Sequence, residues 1–386
     1  MLNIHGVGCC LLDEVFLGFD PHSSYFAPLM SRKGGDGGLV EGALVFFEDL
    51  ARFGNMEIEE VIAHITQGQK PSAVNLGGPA VVALVHTAQM LSGMGAQVSF
   101  DGVIGDDEAA QMILSVLEKT PLIHNLSVQK GERSPTTMAL IGSEERTFVN
   151  DIAAAYHMKA ANIPAAFYEA DIVLAGGTAL VPNLHTELDE VLAKAHARGC
   201  FTVVGTVYDF LNQKKDPVGR WPLVKEGNWH LIDLLVVDAE EALRISGTDD
   251  LENASQWFVQ SGVGAFIITN GKKDIIVYAT DRKFTSQSLT TLAVNKRADE
   301  MMAADPSLRK DTVGCGDNFI GGVIAAIGMQ MIKDKNKPFD IIDASIWGSS
   351  SGGFTCMYAG GTYIESAPKE KYAHVKELVD HYYKQM

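Results

Sequence analysis

Short apolar runs rich in Val and Ile alternate with stretches of helical spacing along most of this chain, and that alternation narrows its possible folds more than any other feature. Asp171-Ile-Val-Leu-Ala is a predicted strand closed by Gly176 and Gly177, after which Leu188, Val191, Leu192 and Ala195 recur at helical spacing. Phe201-Thr-Val-Val and Leu231-Ile-Asp-Leu-Leu-Val-Val repeat the strand pattern, and a helix carrying Ala242, Leu243 and Ile245 stops at Gly247. Ala265-Phe-Ile-Ile-Thr ends at Asn270-Gly271, and Asp274-Ile-Ile-Val-Tyr folds back on it as a hairpin. Strand, helix, strand, helix predicts a parallel sheet covered by helices on both faces.

Three stretches break the rhythm. Residues 132–150 read as two antiparallel strands joined by a polar turn at Gly142-Ser143-Glu144. Residues 21–70, full of glycine and charge, read as an insertion rather than core, and residues 293–310 as a polar, Met-rich loop or brief helix to which the sequence assigns no role.

Charge and cysteine usage exclude several classes of function. A net charge of −17 argues against nucleic acid as a partner, because phosphate backbones are met by clustered Lys and Arg. Five scattered cysteines without a CxxC pair indicate neither a zinc site nor a disulfide framework, so a reducing, cytoplasmic setting is expected. The amino-terminal run lacks a basic flank and carries Asp13 and Glu14, so it reads as a first strand rather than a signal peptide. The apolar run near Phe319–Ile332 reads as too short to span a bilayer, and no membrane partner is expected.

The chemistry is concentrated in Lys310-Asp-Thr-Val-Gly-Cys-Gly-Asp-Asn-Phe. Gly314-Cys315-Gly316 is a small-residue turn opening a helix, whose first N–H groups point outward and whose dipole favours an anion. Asp317 at that corner suits a base accepting a hydroxyl proton during phosphoryl transfer. Read from the glycine spacing alone, Asp317 serves equally well as a helix cap.

The string Asp311-Thr312-x-Gly314-x-Gly316-Asp317-x-Phe319 resembles the carboxy-terminal signature of the ribokinase-like (PfkB) carbohydrate kinases, with Cys315 where that family usually has alanine. Other segments resemble the family in the same order. Gly6-Val-Gly-Cys-Cys-Leu-Leu-Asp13 is similar to its first strand, and Asn75-Leu-Gly-Gly-Pro-Ala to its double-glycine motif, with Pro79 in place of the usual asparagine. Phe100 to Asp107 resembles the segment after the second lid strand, and Val237-Asp-Ala-Glu-Glu-Ala the Asn-x-x-Glu motif, with Asp238 for asparagine and Glu241 as the glutamate.

The resemblance implies a single α/β domain over residues 1–386, with a central, mainly parallel sheet flanked by helices. A small β lid is implied from about 14–50, 98–107 and 134–150. It implies an ATP-dependent kinase acting on a hydroxyl of a sugar or sugar derivative, with a nucleoside as the alternative acceptor. Asp317 would be the base, and the backbone of Gly314, Cys315 and Gly316 the anion hole. Asp13, Gly77, Gly78 and Arg146 would hold the acceptor, and Asp238, Glu241, Thr269, Asn270 and Gly271 the nucleotide. Glu241 would act on Mg²⁺ through water, and Asp311 on a monovalent cation such as K⁺. Pairing through lids implies a homodimer.

Competing readings fare worse. There is no GxxxxGK[ST] loop, no HRD or DFG element, no HExxH and no GxSxG elbow. A nicotinamide oxidoreductase needs a third small residue where Leu11 stands after Gly6-x-Gly8. A non-catalytic metabolite-binding relative would have no use for Asp317.

Overall fold

A computed structural model of the chain describes residues 1–142 and 146–386. The strands are β1 (Leu2–Gly8), β2 (Leu11–Leu17), β3 (Leu44–Phe46), β4 (Ala73–Gly77), β5 (Ala96–Ile104), β6 (Ile123–Val128) and β7 (Thr136–Ile141). They continue with β8 (Arg146–Asp151), β9 (Ile172–Gly176), β10 (Phe201–Gly205), β11 (Leu234–Asp238), β12 (Ala265–Asn270), β13 (Lys273–Ala279) and β14 (Gln287–Leu292). Nine of them form one sheet in the order β14-β13-β12-β11-β10-β9-β1-β5-β6. Neighbours from β6 to β12 are parallel, and the β12–β13 hairpin begins an antiparallel edge.

The apolar strand runs follow from burial on both faces. Ile172, Leu174, Val203, Leu234, Val236 and Ile267 pack into one hydrophobic core, with helices Pro79–Met90, Cys315–Asp334 and Ile341–Thr355. Their alternates Val173, Ala175, Val204, Leu235, Val237 and Ile268 pack into a second, against helices Leu188–Ala197 and Ala239–Ser246. Helix Cys315–Asp334 has 20 residues and is long and apolar enough to cross a membrane, contrary to the sequence reading of its apolar run. Its residues from Asn318 to Gly328 are buried in the first core, which accounts for that composition.

The second sheet is the lid, in the order β3-β8-β7-β2-β4. It pairs β7 with β8 antiparallel, as read from the sequence; the turn expected at Gly142-Ser143-Glu144 falls largely outside the described residues. Two lid boundaries need correction. The 98–107 stretch enters the large sheet as β5 between β1 and β6, with Phe100 and Ile104 in one core and Val103 in the other. The strand carrying Asn75 and Gly77, β4, joins the lid instead, antiparallel to β2.

The stretch 21–70 is more than an appendage. Phe26, Leu29, Leu39, Phe47, Leu50, Val61 and Ile65 pack on Phe16, Met138, Leu140 and Val149 from the outer face of the lid, giving it a core of its own. Helices Phe47–Gly54 and Ile58–Thr66 supply Phe47, Leu50, Ala51, Val61 and Ile65 to it; the second opens with a capping box between Glu57 and Glu60. The Leu50 side chain is wholly buried there, so Leu50→Ala should cost about 2–5 kcal/mol locally. Limited proteolysis should then cut within 21–70 before the large sheet yields, whereas unchanged protection of that stretch would show that it adds nothing to lid stability.

Candidate active site

The parallel strands β1, β9, β10, β11 and β12 all end on one edge of the large sheet, the edge where ligands collect in open α/β folds. Chain leaving β1 enters β2 directly, which hangs the lid over that edge. Helix Cys315–Asp334 starts beneath it.

That helix opens on Gly314 in the left-handed conformation, φ 75°, and a Cβ there would lie 2.5 Å from the Gly361 Cα, so only glycine fits. The buried Asn318 amide donates to the carbonyls of Gly314 and Gly361, each at 2.8 Å, and holds the turn shut from below. The Cys315 N–H leans back on the Thr312 carbonyl at 3.3 Å. Among the described residues, the N–H groups of Gly314, Gly316 and Asp317 have no acceptor. A Cβ at Gly316 would meet open space, so the turn faces the cleft. The capping alternative for Asp317 finds no bond, because its carboxyl takes none of the first-turn N–H groups.

Carboxyls converge on this corner. Burial pushes Asp317 up to about 6. Asp13, on β2, is pushed up to about 7 by burial and then by the Asp317 charge, against a hydrogen bond from Thr137. Glu241, buried in the first turn of helix Ala239–Ser246, is pushed up to about 8 by burial, Asp238 and Asp317, although the Thr206 hydroxyl donates to it. Asp238 caps the same helix, accepting the Glu241 N–H at 2.8 Å. The structure therefore gathers four carboxyls from three distant parts of the chain: Asp13, the Asp238–Glu241 pair and Asp317.

Gly77 packs directly on Asp13, and any Cβ there would drive into its carboxylate. The lid register sets Asn75, Asp13, Thr137 and Asn150 opposite one another across β4, β2, β7 and β8, a polar row on the face turned from the lid core. Asn150 is 6% exposed, and among the described residues its side-chain oxygen has no partner. Sequence reasoning missed Thr137 and Asn150, since only the strand pairing aligns them with Asp13.

Arg146 behaves differently from expectation. Its guanidinium reaches from β8 to Asp311 at 2.9 Å, tying the lid to the segment before the turn. Burial works to raise the Asp311 pKa, but Arg146 and the N–H groups of Val313 and Thr312 bring it below the usual range. With Arg146 supplying positive charge there, the monovalent-cation role expected at Asp311 has no support in this geometry.

Beside the turn lies a cavity of about 360 Å³. Of the residues expected to hold the nucleotide, Thr269, Gly271 and Asp238 line it; Asn270 and Glu241 do not. Its apolar wall is Val294, Ala298, Met302 and Phe319, so the 293–310 stretch, largely the helix Arg297–Ala304, supplies much of a pocket that its sequence did not advertise. A larger cavity, about 580 Å³, opens at the opposite edge of the sheet near Arg198, Arg282 and Lys335 and contains none of the motif residues.

Among the described residues, no three His, Cys, Asp or Glu side chains form a metal cage. Buried carboxyls with raised pKa values do suit a hydrated, oxygen-preferring cation brought in by a nucleotide.

A left-handed glycine turn whose N–H groups find no acceptor among the described residues, a half-buried aspartate at its rim and a cavity alongside meet at one edge of a doubly wound sheet, an arrangement suited to binding an anion. The chain matches the pfkB family carbohydrate kinase model over residues 86–335 and belongs to that family. Its fold is shared with an adenosine kinase from Sinorhizobium meliloti at 13% identity and TM-score 0.69, covering 97% of this chain and 99% of that one. A probable sugar kinase from Rhizobium etli CFN 42 matches at 13% identity and TM-score 0.69, covering 98% and 99%. Ribokinase from Thermotoga maritima matches at 15% identity and TM-score 0.61, covering 98% and 100%.

The carboxyl cluster has a consequence for stability. A carboxyl whose pKa is raised on folding stabilises the native state below its unfolded value and loses that contribution as pH climbs through the folded value. For Glu241 the window runs from 4.5 to about 8. Denaturation of the unliganded protein should therefore show Glu241→Gln gaining on the parent as pH rises from about 5 to about 8. A gap that stays constant with pH would mean that Glu241 is already ionised in the empty site.

Proposed function

We propose that this kinase transfers the γ-phosphoryl group of ATP to a hydroxyl of a sugar or sugar derivative, with Asp317 as general base. The observation that carries the reading is the place of Asp317: at the rim of a turn with unpaired N–H groups, facing Asp13, beside the 360 Å³ cavity. A carboxyl pushed up to about 6 is still largely ionised at neutral pH, and is more basic than an exposed aspartate.

The acceptor lies between lid and sheet edge, with Asp13 and the backbone of Gly77 and Gly78 holding it against Asp317. The nucleotide occupies the cavity lined by Thr269, Gly271 and Met302, with its terminal phosphate over the turn. The N–H groups of Gly314, Gly316 and Asp317 take up charge as it develops on the transferring group. Asp238 and Glu241 would hold hydrated Mg²⁺ near the phosphates, where the ion supplies charge neutralisation. Asp317 accepts the acceptor's hydroxyl proton, and the closed lid keeps water from competing.

The polar row of Asn75, Asp13, Thr137 and Asn150 favours a polyhydroxylated acceptor, since each of those side chains offers a hydrogen bond to a hydroxyl. A nucleoside is the second reading, raised by the shared fold of adenosine kinases such as that of Schistosoma mansoni, solved with 2-fluoroadenosine. Edges β4 and β3 of the lid sheet would be the surfaces for pairing two copies into a dimer.

Mg-ATP-dependent ADP release across sugars, sugar acids, sugar phosphates and nucleosides tests the reading. Asp317→Asn should lower kcat about 10²–10⁴-fold while leaving Mg-ATP affinity in place; normal turnover in that variant would remove the base assignment. Asn150→Ala should raise the acceptor KM by about tenfold with little change in kcat. An unchanged KM would put the acceptor elsewhere under the lid.

A further inference from the structure

Two cysteines stand together where the turn meets the nucleotide cavity. Cys315, the first residue of helix Cys315–Asp334, and Cys356, the C-cap of helix Ile341–Thr355, have sulfurs 3.5 Å apart. Both line the 360 Å³ cavity and both are partly exposed, whereas Cys9, Cys10 and Cys200 are buried. We propose that Cys315 and Cys356 form an oxidisable dithiol site, converted by a hydroperoxide to a disulfide that disables the anion turn.

The surroundings suit the chemistry. The two thiols are hydrogen-bonded, and that contact brings Cys356 down to about 7, opposed by burial and by Asp299 and aided by Lys272 and Arg309. A partly exposed thiolate is the reactive form of cysteine. The Cys356 thiolate attacks one peroxide oxygen; the O–O bond breaks and the departing hydroxide leaves as water after taking a proton. The Cys315 thiol, losing its proton, attacks the resulting sulfenic sulfur; the S–O bond breaks and a second water leaves. Two thiols are oxidised by two electrons, and the hydroperoxide is reduced, to two waters in the case of hydrogen peroxide.

The consequence follows from where the two residues are anchored. A disulfide needs sulfurs at about 2.05 Å, so the pair must close by roughly 1.5 Å. Cys356 is fixed by its carbonyl, which accepts the Lys310 N–H at 2.9 Å, and by the body of its helix. Cys315 sits between Gly314 and Gly316 on the open side of the turn, where a Cβ at position 316 would meet no atom, so the cleft leaves it room to move. Closing the bond therefore draws the turn towards Cys356 and moves its N–H groups off the transferring phosphate. That loss of turnover rests on the anion-turn reading; formation of the bond does not.

The experiment treats the purified protein with hydrogen peroxide, then measures intact mass, free thiols, cross-linked peptides, Mg-ATP binding and ADP release. The expected result is a mass lower by two hydrogens, one peptide pair joined through Cys315 and Cys356, and turnover reduced about a hundredfold, the scale on which ångström misplacement acts. Dithiothreitol should restore the parent, Mg-ATP present beforehand should slow the loss, and Cys356→Ser should form no such link. If all five thiols survive, or another pair is joined, the dithiol proposal fails. If the link forms and turnover is unaffected, the anion-turn reading fails instead. The parent's thiol count and peptide map decide the first question even should the variant not fold.

Discussion

The site rests on one buried amide. Asn318 is fully enclosed, and its oxygen accepts from Lys371 at 2.8 Å, from His86 at 2.8 Å and from the Tyr358 hydroxyl at 3.1 Å. The carbonyls of Gly314 and Gly361 can only accept, so the amide nitrogen must face them and its oxygen must face Lys371. The left-handed glycine, the outward N–H groups and the position of Asp317 all depend on that clasp. Holding a lysine there has an energetic cost: burial brings Lys371 down to about 7, and leaving the network half-made would cost more still.

Above the clasp the electrostatics look paradoxical for a protein that handles phosphates. The chain carries a net charge of −17, and Asp13, Asp238, Glu241 and Asp317 crowd the cleft. The tension is resolved by division of labour. In the proposed mechanism the oriented N–H groups and the helix dipole would face the phosphate, while the carboxyls would face hydroxyl protons and a hydrated cation. Burial raises the pKa of each of those carboxyls, and repulsion from neighbouring carboxylates adds to it at Asp13 and Glu241.

The lid shows how an insertion becomes structure. A short five-stranded sheet with one face towards the cleft has no partner for its other face. Residues 21–70 supply that partner, and the lid acquires a core separate from the two that sandwich the large sheet. Arg146 then spans the gap to Asp311, so the lid is tied to the segment that forms the anion turn.

Chain-local chemistry was legible in the sequence alone. Alternating apolar runs specified a parallel sheet covered on both faces, and Gly314-x-Gly316-Asp317 specified a helix opening suited to an anion, because neighbouring residues set periodicity, φ and dipole direction. What the chain order could not convey was who meets whom. Asp13 reaches Asp317 across some three hundred residues, Asn150 comes level with Asp13 only through strand register, and Lys371 finds Asn318 through packing of the last helix. The 98–107 stretch reads as lid from the sequence, and only its pairing with β1 and β6 places it in the large sheet. Periodicity records which faces of an element are buried, not which partner buries them; that choice belongs to the tertiary structure, and with it the identity of the site.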